Sequence, residues 1–352
     1  MRATVIYGQG DIRLDTVAEP SLSTGSDAVV RVVAACVCGS DLWPYRGATP
    51  VDAPRRIGHE FVGIVAEVGE QVRKVNVGDF VIASFYDCDA SCANCRNGVS
   101  SACSNITWWG TTDRDGAFAD GAQGEFVRVP HADGTLVPTP FLPRADQIPD
   151  LLALADVMGT GYHAAISAGV SDGSRVVVVG DGAVGLCAVL AARKLGAAQV
   201  VVMSRNPARQ KLALEFGATD VVSLRGAEGV EAVKTAFGGI GADCSLECVG
   251  TKESMEQAIG AVRPGGRIGM VGVPNGGPEL PIRHLFANNI AVAGGEAPVR
   301  GYIEELLKDV LDGQLLPGAI FDKRLPLDDV AEAYRLMDRR SAIKVLLDVS
   351  PL

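Results

Sequence analysis

The sequence predicts an α/β protein in which a mostly β region rich in turns is followed by a doubly wound parallel sheet. Three observations carry that reading. Short apolar runs broken by Gly, Pro and Asp fill roughly the first 150 residues, apolar strands alternate with helical stretches from about Leu151, and one strand runs directly into a glycine loop that opens a helix. With 352 residues the chain can form two units that each bury a core of their own.

In chain order, Ala28-Val29-Val30-Arg31-Val32-Val33 and Gly63-Ile64-Val65-Ala66-Glu67-Val68-Gly69 read as strands of the β region, bounded by turn residues. Arg175–Val179 and Gln199–Met203 read as buried parallel strands, with a helix over residues 182–195 between them. The alternation fades near Ala291. Beyond it, residues 302–311 and 327–339 carry helical patterns, and residues 342–347 close the chain as a strand.

Composition narrows the function. A chain with 47% hydrophobic and 21% charged residues is ordinary for a globular protein, and a net charge of -10 disfavours nucleic acid and anionic membrane as partners. The N-terminus reaches Gly8-Gln9-Gly10-Asp11 before an apolar run grows to signal-peptide length, and no later uncharged stretch could span a bilayer, so a cytoplasmic protein is expected. In that reducing setting nine cysteines, an odd number, point to ligands, reactive thiols or core residues instead of disulfides.

The strand Val176-Val177-Val178-Val179 runs into Gly180-Asp181-Gly182-Ala183-Val184-Gly185, the GxGxxG dinucleotide fingerprint in its proper strand–helix setting. Gly180 would allow the tight turn, Gly182 the approach of backbone to pyrophosphate, and Gly185 the packing of helix on strand. After the next strand, where an acid normally binds the adenosine ribose of NAD, the chain has Ser204-Arg205-Asn206-Pro207-Ala208-Arg209. A hydroxyl and guanidinium groups suit a ribose phosphate, which predicts a preference for NADP carried by Ser204 and Arg205 with help from Arg209.

Two constellations have metal-ligand chemistry. His59, in Gly58-His59-Glu60-Phe61-Val62-Gly63, lies downstream of Cys36-Val37-Cys38-Gly39-Ser40-Asp41, whereas His131, His163 and His284 have the settings of surface or core residues. Thiolate, imidazole and carboxylate are zinc ligands, and a catalytic site needs three of them with one open position. The second set, Asp89-x2-Cys92-x2-Cys95-x7-Cys103, has the spacing of a closed structural zinc site. Asp89 falls in phase as its fourth ligand; Cys88 is one residue early but chemically softer.

With these residues in hand, the chain resembles the zinc-containing medium-chain dehydrogenase/reductase family over essentially its whole length. The most specific signature is Gly58-His59-Glu60-x2-Gly63-x5-Gly69, then Gly78-Asp79-x-Val81, then the cysteine loop. The resemblance implies a GroES-like catalytic domain made from residues 1–155 and 291–352, with a Rossmann domain over 156–290 between them. It also implies Cys38 and His59 as catalytic zinc ligands, Glu60 as a neighbouring carboxylate that can bind or leave the metal, and Asp156 as the remaining ligand. Thr160 matches the nicotinamide contact, Asp41 the carboxylate that orients the imidazole, and Lys344 a basic position near the pyrophosphate. The segment Ser204-Arg205-Asn206-Pro207 is similar to that of NADP-dependent secondary alcohol dehydrogenases.

The chain departs from the pattern at two places. Trp43 stands where many members carry a His at the end of the proton relay, and Asp89 replaces the first cysteine of the structural site. The expected activity is hydride transfer between NADP(H) and a small neutral alcohol or carbonyl, with a catalytic and a structural Zn2+, in a homodimer or homotetramer. Ser40 would pass the hydroxyl proton, and Trp43, Trp108 and Trp109 are candidates for the substrate wall. Two rivals are an NAD-dependent polyol or amino-alcohol dehydrogenase and a non-catalytic binding paralogue. The intact set Cys38, Ser40, His59 and Asp156 disfavours the second.

Overall fold

Strand Ala28–Cys36 is the spine of the first unit, buried along its whole length except at Arg31. Its small and β-branched side chains suit a strand covered on both faces. It lies inside a seven-stranded sheet in which Lys323–Pro326, Val345–Asp348, Ala28–Cys36, Phe61–Val68, Phe80–Ala83 and Leu136–Pro138 follow one another, and Phe126–Val129 also pairs with it. Opposite Cys36 stands Leu346, and opposite Ala35 stands Phe61. The last strand of the chain therefore pairs with one of the first, and residues 37–38, 59–60 and 344 leave the sheet at the same end. A core of Val30, Val32, Phe61, Val65, Val81 and Leu136 fills one side.

A three-stranded sheet, Asp11–Thr16, Arg2–Gly8 and Arg55–Arg56, completes this unit. Its Ile6 and Ile12 share a second core with Leu42, Val330, Tyr334 and Val345. That core ties helix Val330–Asp338 to the N-terminal strands, because the apolar face of the helix has Val330, Ala333, Tyr334 and Met337 at helical spacing.

The second unit is an all-parallel sheet of six strands, ordered Asp220–Val222, Gln199–Met203, Arg175–Val179, Ala242–Glu247, Val262–Met270 and Ala291–Gly294. Chain order reverses between Arg175–Val179 and Ala242–Glu247, the switch point where doubly wound sheets bind ligands at the carboxyl ends of their strands. Helix Ala183–Lys194 follows the glycine loop directly. The sheet continues past the boundary expected at 291, because Ala291–Gly294 pairs with Val262–Met270. The two units comprise Met1–Asp156 with Pro298–Leu352, and Val157–Ala297.

This computed structural model describes residues 1–111, 119–274 and 279–352. Among the described residues no helix is long and apolar enough to cross a membrane.

Candidate active site

Cys38 sits two residues beyond strand Ala28–Cys36, in a turn held by Asp41, whose Oδ2 accepts a hydrogen bond from the Cys38 N–H at 2.9 Å. His59 and Glu60 immediately precede strand Phe61–Val68. Gly58, at φ +98°, supplies the left-handed turn before them, a conformation that disfavours other residues. Asp156 follows helix Ile148–Ala153 and ends the N-terminal segment of the first unit. The local folding of three separate segments thus brings one ligand atom from each of Cys38, His59, Glu60 and Asp156 within 4.8 Å of one another.

The imidazole is oriented. Its Nδ1 lies 3.3 Å from Asp41 Oδ1, while Nε2 faces Asp156 Oδ2 at 3.7 Å and Glu60 Oε1 at 3.8 Å. Cys38 Sγ is 3.8 Å from the same Asp156 oxygen. A carboxylate on one ring nitrogen leaves the other for a metal, the usual arrangement around zinc.

Charge in this cluster calls for a cation. Burial disfavours the protonated His59, yet Asp41 and Cys38 outweigh it and hold the imidazole pKa well above its ordinary value. Burial raises the pKa of Glu60 against the pull of Lys344. Glu60 Oε2 is buried and has no hydrogen-bond partner among the described residues. Soft and hard donors of this kind, with a buried carboxylate oxygen still unsatisfied, fit Zn2+.

Sequence reading missed the support behind Asp41. Gln123 is fully buried and donates from Nε2 to Cys36 O at 3.0 Å and to Asp41 Oδ2 at 3.2 Å. Its Oε1 accepts from the Tyr334 hydroxyl at 3.0 Å. A buried amide with both ends engaged fixes the carboxylate that orients the His59 imidazole. No local motif marks Gln123, because its partners lie far away in the chain.

Lys344 departs from expectation. Its side chain is 1% exposed, and Nζ donates to Glu60 Oε1 at 2.7 Å and to Val37 O at 3.3 Å. Folding directs this ammonium inward onto the Glu60 carboxylate, so Lys344 is not itself an exposed cation. Ser40 is partly exposed in the turn after Cys38. Trp43 is partly buried, and Trp108 stacks on Phe85 at 6.2 Å, which in turn meets the His59 ring edge-on at 6.3 Å. Trp109 belongs to the core instead: it is buried, packs against Phe61 and donates from Nε1 to Ser84 O.

In the cysteine loop, Asp89, Cys92, Cys95 and Cys103 form a second cluster of the same compactness. Cys92 Sγ lies 3.6 Å from Cys95 Sγ and 4.0 Å from Cys103 Sγ. A tetrahedron with zinc–sulfur arms of about 2.3 Å has edges of about 3.8 Å, so the thiols stand at ligand spacing. Backbone N–H groups of Ser104 and Cys95 bring the Cys92 thiol down to about 6. Burial opposes ionisation of Asp89, but N–H groups of Ser91 and Cys92 hold its carboxyl well below the usual range. Between the two candidates for the fourth donor, geometry favours Asp89: the buried Cys88 Sγ turns to Gly134 O at 3.2 Å, and burial pushes its thiol up to about 11.

In the second unit the glycine loop has the form its sequence implies. Gly180 has φ +123°, a Cβ on Gly185 would meet Gly180 O at 2.2 Å, and a Cβ on Gly182 would meet nothing within 4 Å. The loop is closed where helix packs on turn and open where a phosphate would approach. Val184 lies in the first turn of the helix, partly buried, and Thr160 is buried on helix Val157–Ser167. Arg205 is exposed at the end of strand Gln199–Met203, but Ser204 and Arg209 are buried. Both face Asp181: Ser204 Oγ donates to Asp181 Oδ2 at 2.8 Å, and Arg209 Nη1 lies 3.6 Å from Oδ1. An acid therefore stands at this end of the sheet after all, supplied by the glycine loop.

Comparison with known proteins agrees with this geometry. Residues 24–141 match the alcohol dehydrogenase GroES-like domain, and residues 183–310 match the zinc-binding dehydrogenase domain. The chain is 37% identical to a probable zinc-binding alcohol dehydrogenase of Mycobacterium tuberculosis, over 100% of this chain and 89% of the relative. It is 32% identical to zinc-type alcohol dehydrogenase B of Aspergillus flavus, over 98% and 81% of the two chains. Among solved structures, alcohol dehydrogenase TADH from Thermus sp. ATN1 superimposes with a TM-score of 0.91 at 34% identity, covering 99% of this chain and 100% of that one.

Proposed function

The chain belongs to the zinc-containing medium-chain alcohol dehydrogenases, and on that premise we propose an enzyme that moves a hydride between NADP(H) and a small neutral alcohol or its aldehyde or ketone. The observation that carries the reading is the convergence of Cys38, His59, Glu60 and Asp156, with His59 Nε2 aimed into the cluster. Zn2+ held there would act as a Lewis acid, acidifying an alcohol or polarising a carbonyl. Asp41 holds the imidazole, Ser40 receives the hydroxyl proton, and Phe85 with Trp108 offers an apolar aromatic wall beside His59. Asp89, Cys92, Cys95 and Cys103 hold a second zinc that orders their loop.

The glycine loop binds the dinucleotide, with Gly182 admitting the pyrophosphate and Gly185 seating the helix. Arg205, exposed at the strand end, supports the NADP preference. Association with a second copy is part of the same reading. Strand Ala291–Gly294 is an open edge of the parallel sheet, and near it in sequence Ile282 is 66% and Phe286 85% exposed. A cytoplasmic setting suits three thiols at metal-ligand spacing, which an oxidising compartment would tend to pair.

The test is kcat/KM over a panel of primary and secondary alcohols and their carbonyl partners, with NADP and with NAD, before and after chelation. Turnover that chelation abolishes and that favours NADP is expected. Turnover surviving removal of all zinc would overturn the metal's role, and a wild type that favours NAD would overturn the cofactor assignment.

A further inference from the structure

Rossmann sheets usually place an acid at the end of the second strand, where it accepts hydrogen bonds from the adenosine ribose. In this chain that position is Ser204, one residue past Met203. Met203 is paired in register with Val179 on the first strand, and Asp181 lies two residues past Val179. The two residues therefore leave neighbouring parallel strands at the same end, and their side chains meet: Ser204 Oγ donates to Asp181 Oδ2 at 2.8 Å. Asp181 is 5% exposed and Ser204 fully buried.

Arg209 closes the group. It lies in the first turn of helix Pro207–Glu215, which Asn206 caps by accepting from the backbone N–H groups of Ala208 and Arg209. Its Nη1 donates to Asp181 O at 3.2 Å and stands 3.6 Å from Asp181 Oδ1. The side chains of Arg209 and Asp181 are 7% and 6% exposed. A buried guanidinium beside a buried carboxylate has most of its field cancelled. Of the three groups the sequence offers a ribose phosphate, two are thus engaged by one carboxylate, and only the exposed Arg205 acts as an uncancelled charge.

We propose that Asp181 is the specificity-determining acid of the dinucleotide site: carried by the glycine loop in place of the strand end, it neutralises Arg209, holds the Ser204 hydroxyl and restrains the preference for a 2′-phosphate. The inference rests on the reading of this loop as the cofactor site. Asp181→Asn keeps the shape of the side chain and an acceptor for Ser204 while removing the charge. Arg209 then loses the Asp181 carboxylate that neutralises it, so the phosphate of a 2′-phosphorylated adenosine gains and a plain adenosine does not.

The experiment uses the zinc-loaded, full-length enzyme. Dissociation constants for NADPH and NADH are measured by fluorescence titration, and those for adenosine 2′,5′-bisphosphate and 5′-AMP by competition. Asp181→Asn is expected to raise the NADPH-over-NADH affinity ratio by about tenfold or more, and to shift the bisphosphate-over-AMP ratio in the same direction. The double variant Asp181→Asn with Arg209→Gln removes both buried charges and should return the ratio to near the wild-type value; it also serves if the single variant fails to fold. Ratios within twofold of wild type in Asp181→Asn would overturn the proposal. So would a fall in the ratio, which would make Asp181 a brace that presents Arg209 to the phosphate, or a double variant whose selectivity moves tenfold from wild type. A wild type that prefers NADH overturns the NADP reading alone, because the response to Asp181→Asn is measured relative to that wild type.

Discussion

Replacing Lys344 with Met tests whether the C-terminal strand stabilises the metal-side carboxylate. Lys344 Nζ and Glu60 Oε1 are 2.7 Å apart, with side-chain exposures of 1% and 0%. At an effective dielectric near 20, that separation corresponds to roughly 6 kcal/mol of attraction. Part of it offsets the cost of desolvating the ammonium, and breaking a buried pair from one side costs about 3–5 kcal/mol, since the remaining charge stays buried. Lys344→Met should therefore lose about 3–5 kcal/mol in metal-free protein and less in zinc-loaded protein, where the metal gives Glu60 another cation. Adding Glu60→Gln should recover much of the loss.

Tryptophan fluorescence during urea unfolding is the assay. The protein has three Trp residues, Trp43, Trp108 and Trp109, and all lie in the first unit, so the signal reports that unit even if the two unfold separately. A Lys344→Met variant within 1 kcal/mol of wild type, or a double variant no more stable than the single, would refute the reasoning.

Cys38→Ser should drop zinc from two to one per chain and abolish alcohol turnover while leaving the fold intact; metal analysis beside the kinetic assay checks both, and retained turnover at one zinc per chain contradicts it. Gln123→Leu should weaken the catalytic zinc by about 10–100-fold in chelator competition while sparing the cysteine-loop zinc, because the amide supports Asp41 behind His59. In zinc-free protein Cys92 should be alkylated before Cys95, since its pKa is lowered to about 6 and that of Cys95 is raised by burial. The lowered pKa leaves the reactive thiolate present above about pH 6 and lost below it; a first-reacting Cys95, or no protection by added zinc, argues against the cluster.

Cysteine and histidine spacing was legible because ligand chemistry restricts which side chains can occupy those positions, and the glycine loop was legible because steric closeness restricts Gly180 and Gly185. The doubly wound sheet was legible from its apolar strands, although its last strand, Ala291–Gly294, is too short for periodicity to separate it from a loop. The closing strand spans Val345–Asp348 and not residues 342–347, a shift of the size that terminal fraying and weak local pattern produce. Asp181 was hidden because it occupies a variable position of the fingerprint, whereas a ribose acid is expected at the end of the neighbouring strand. Trp108 and Trp109 are adjacent, so composition cannot show that one stacks beyond Phe85 and the other fills the core.

The long-range polar contacts explain why so much of the site had to be learned from the fold. Asp41, Glu60, Asp156 and the Cys38 thiolate can bring four negative charges to one place, while the cations of the same cluster are Lys344 and, when protonated, His59. A metal ligand must be unprotonated, so binding Zn2+ requires His59 to give up the proton that these acids otherwise hold on it. Zn2+ held by these residues would supply the compensating charge in its place. Lys344 engages one oxygen of Glu60 and the other has no partner among the described residues, so that single carboxylate could serve the ammonium and a metal without either charge being left unpaired. This arrangement needs residues from both ends of the chain, since strand Val345–Asp348 pairs with Ala28–Cys36 to seat the lysine and helix Val330–Asp338 supplies Tyr334 to Gln123. Formation of the candidate zinc site would therefore depend on the C-terminal segment of the first unit, although that segment carries none of the four candidate metal ligands.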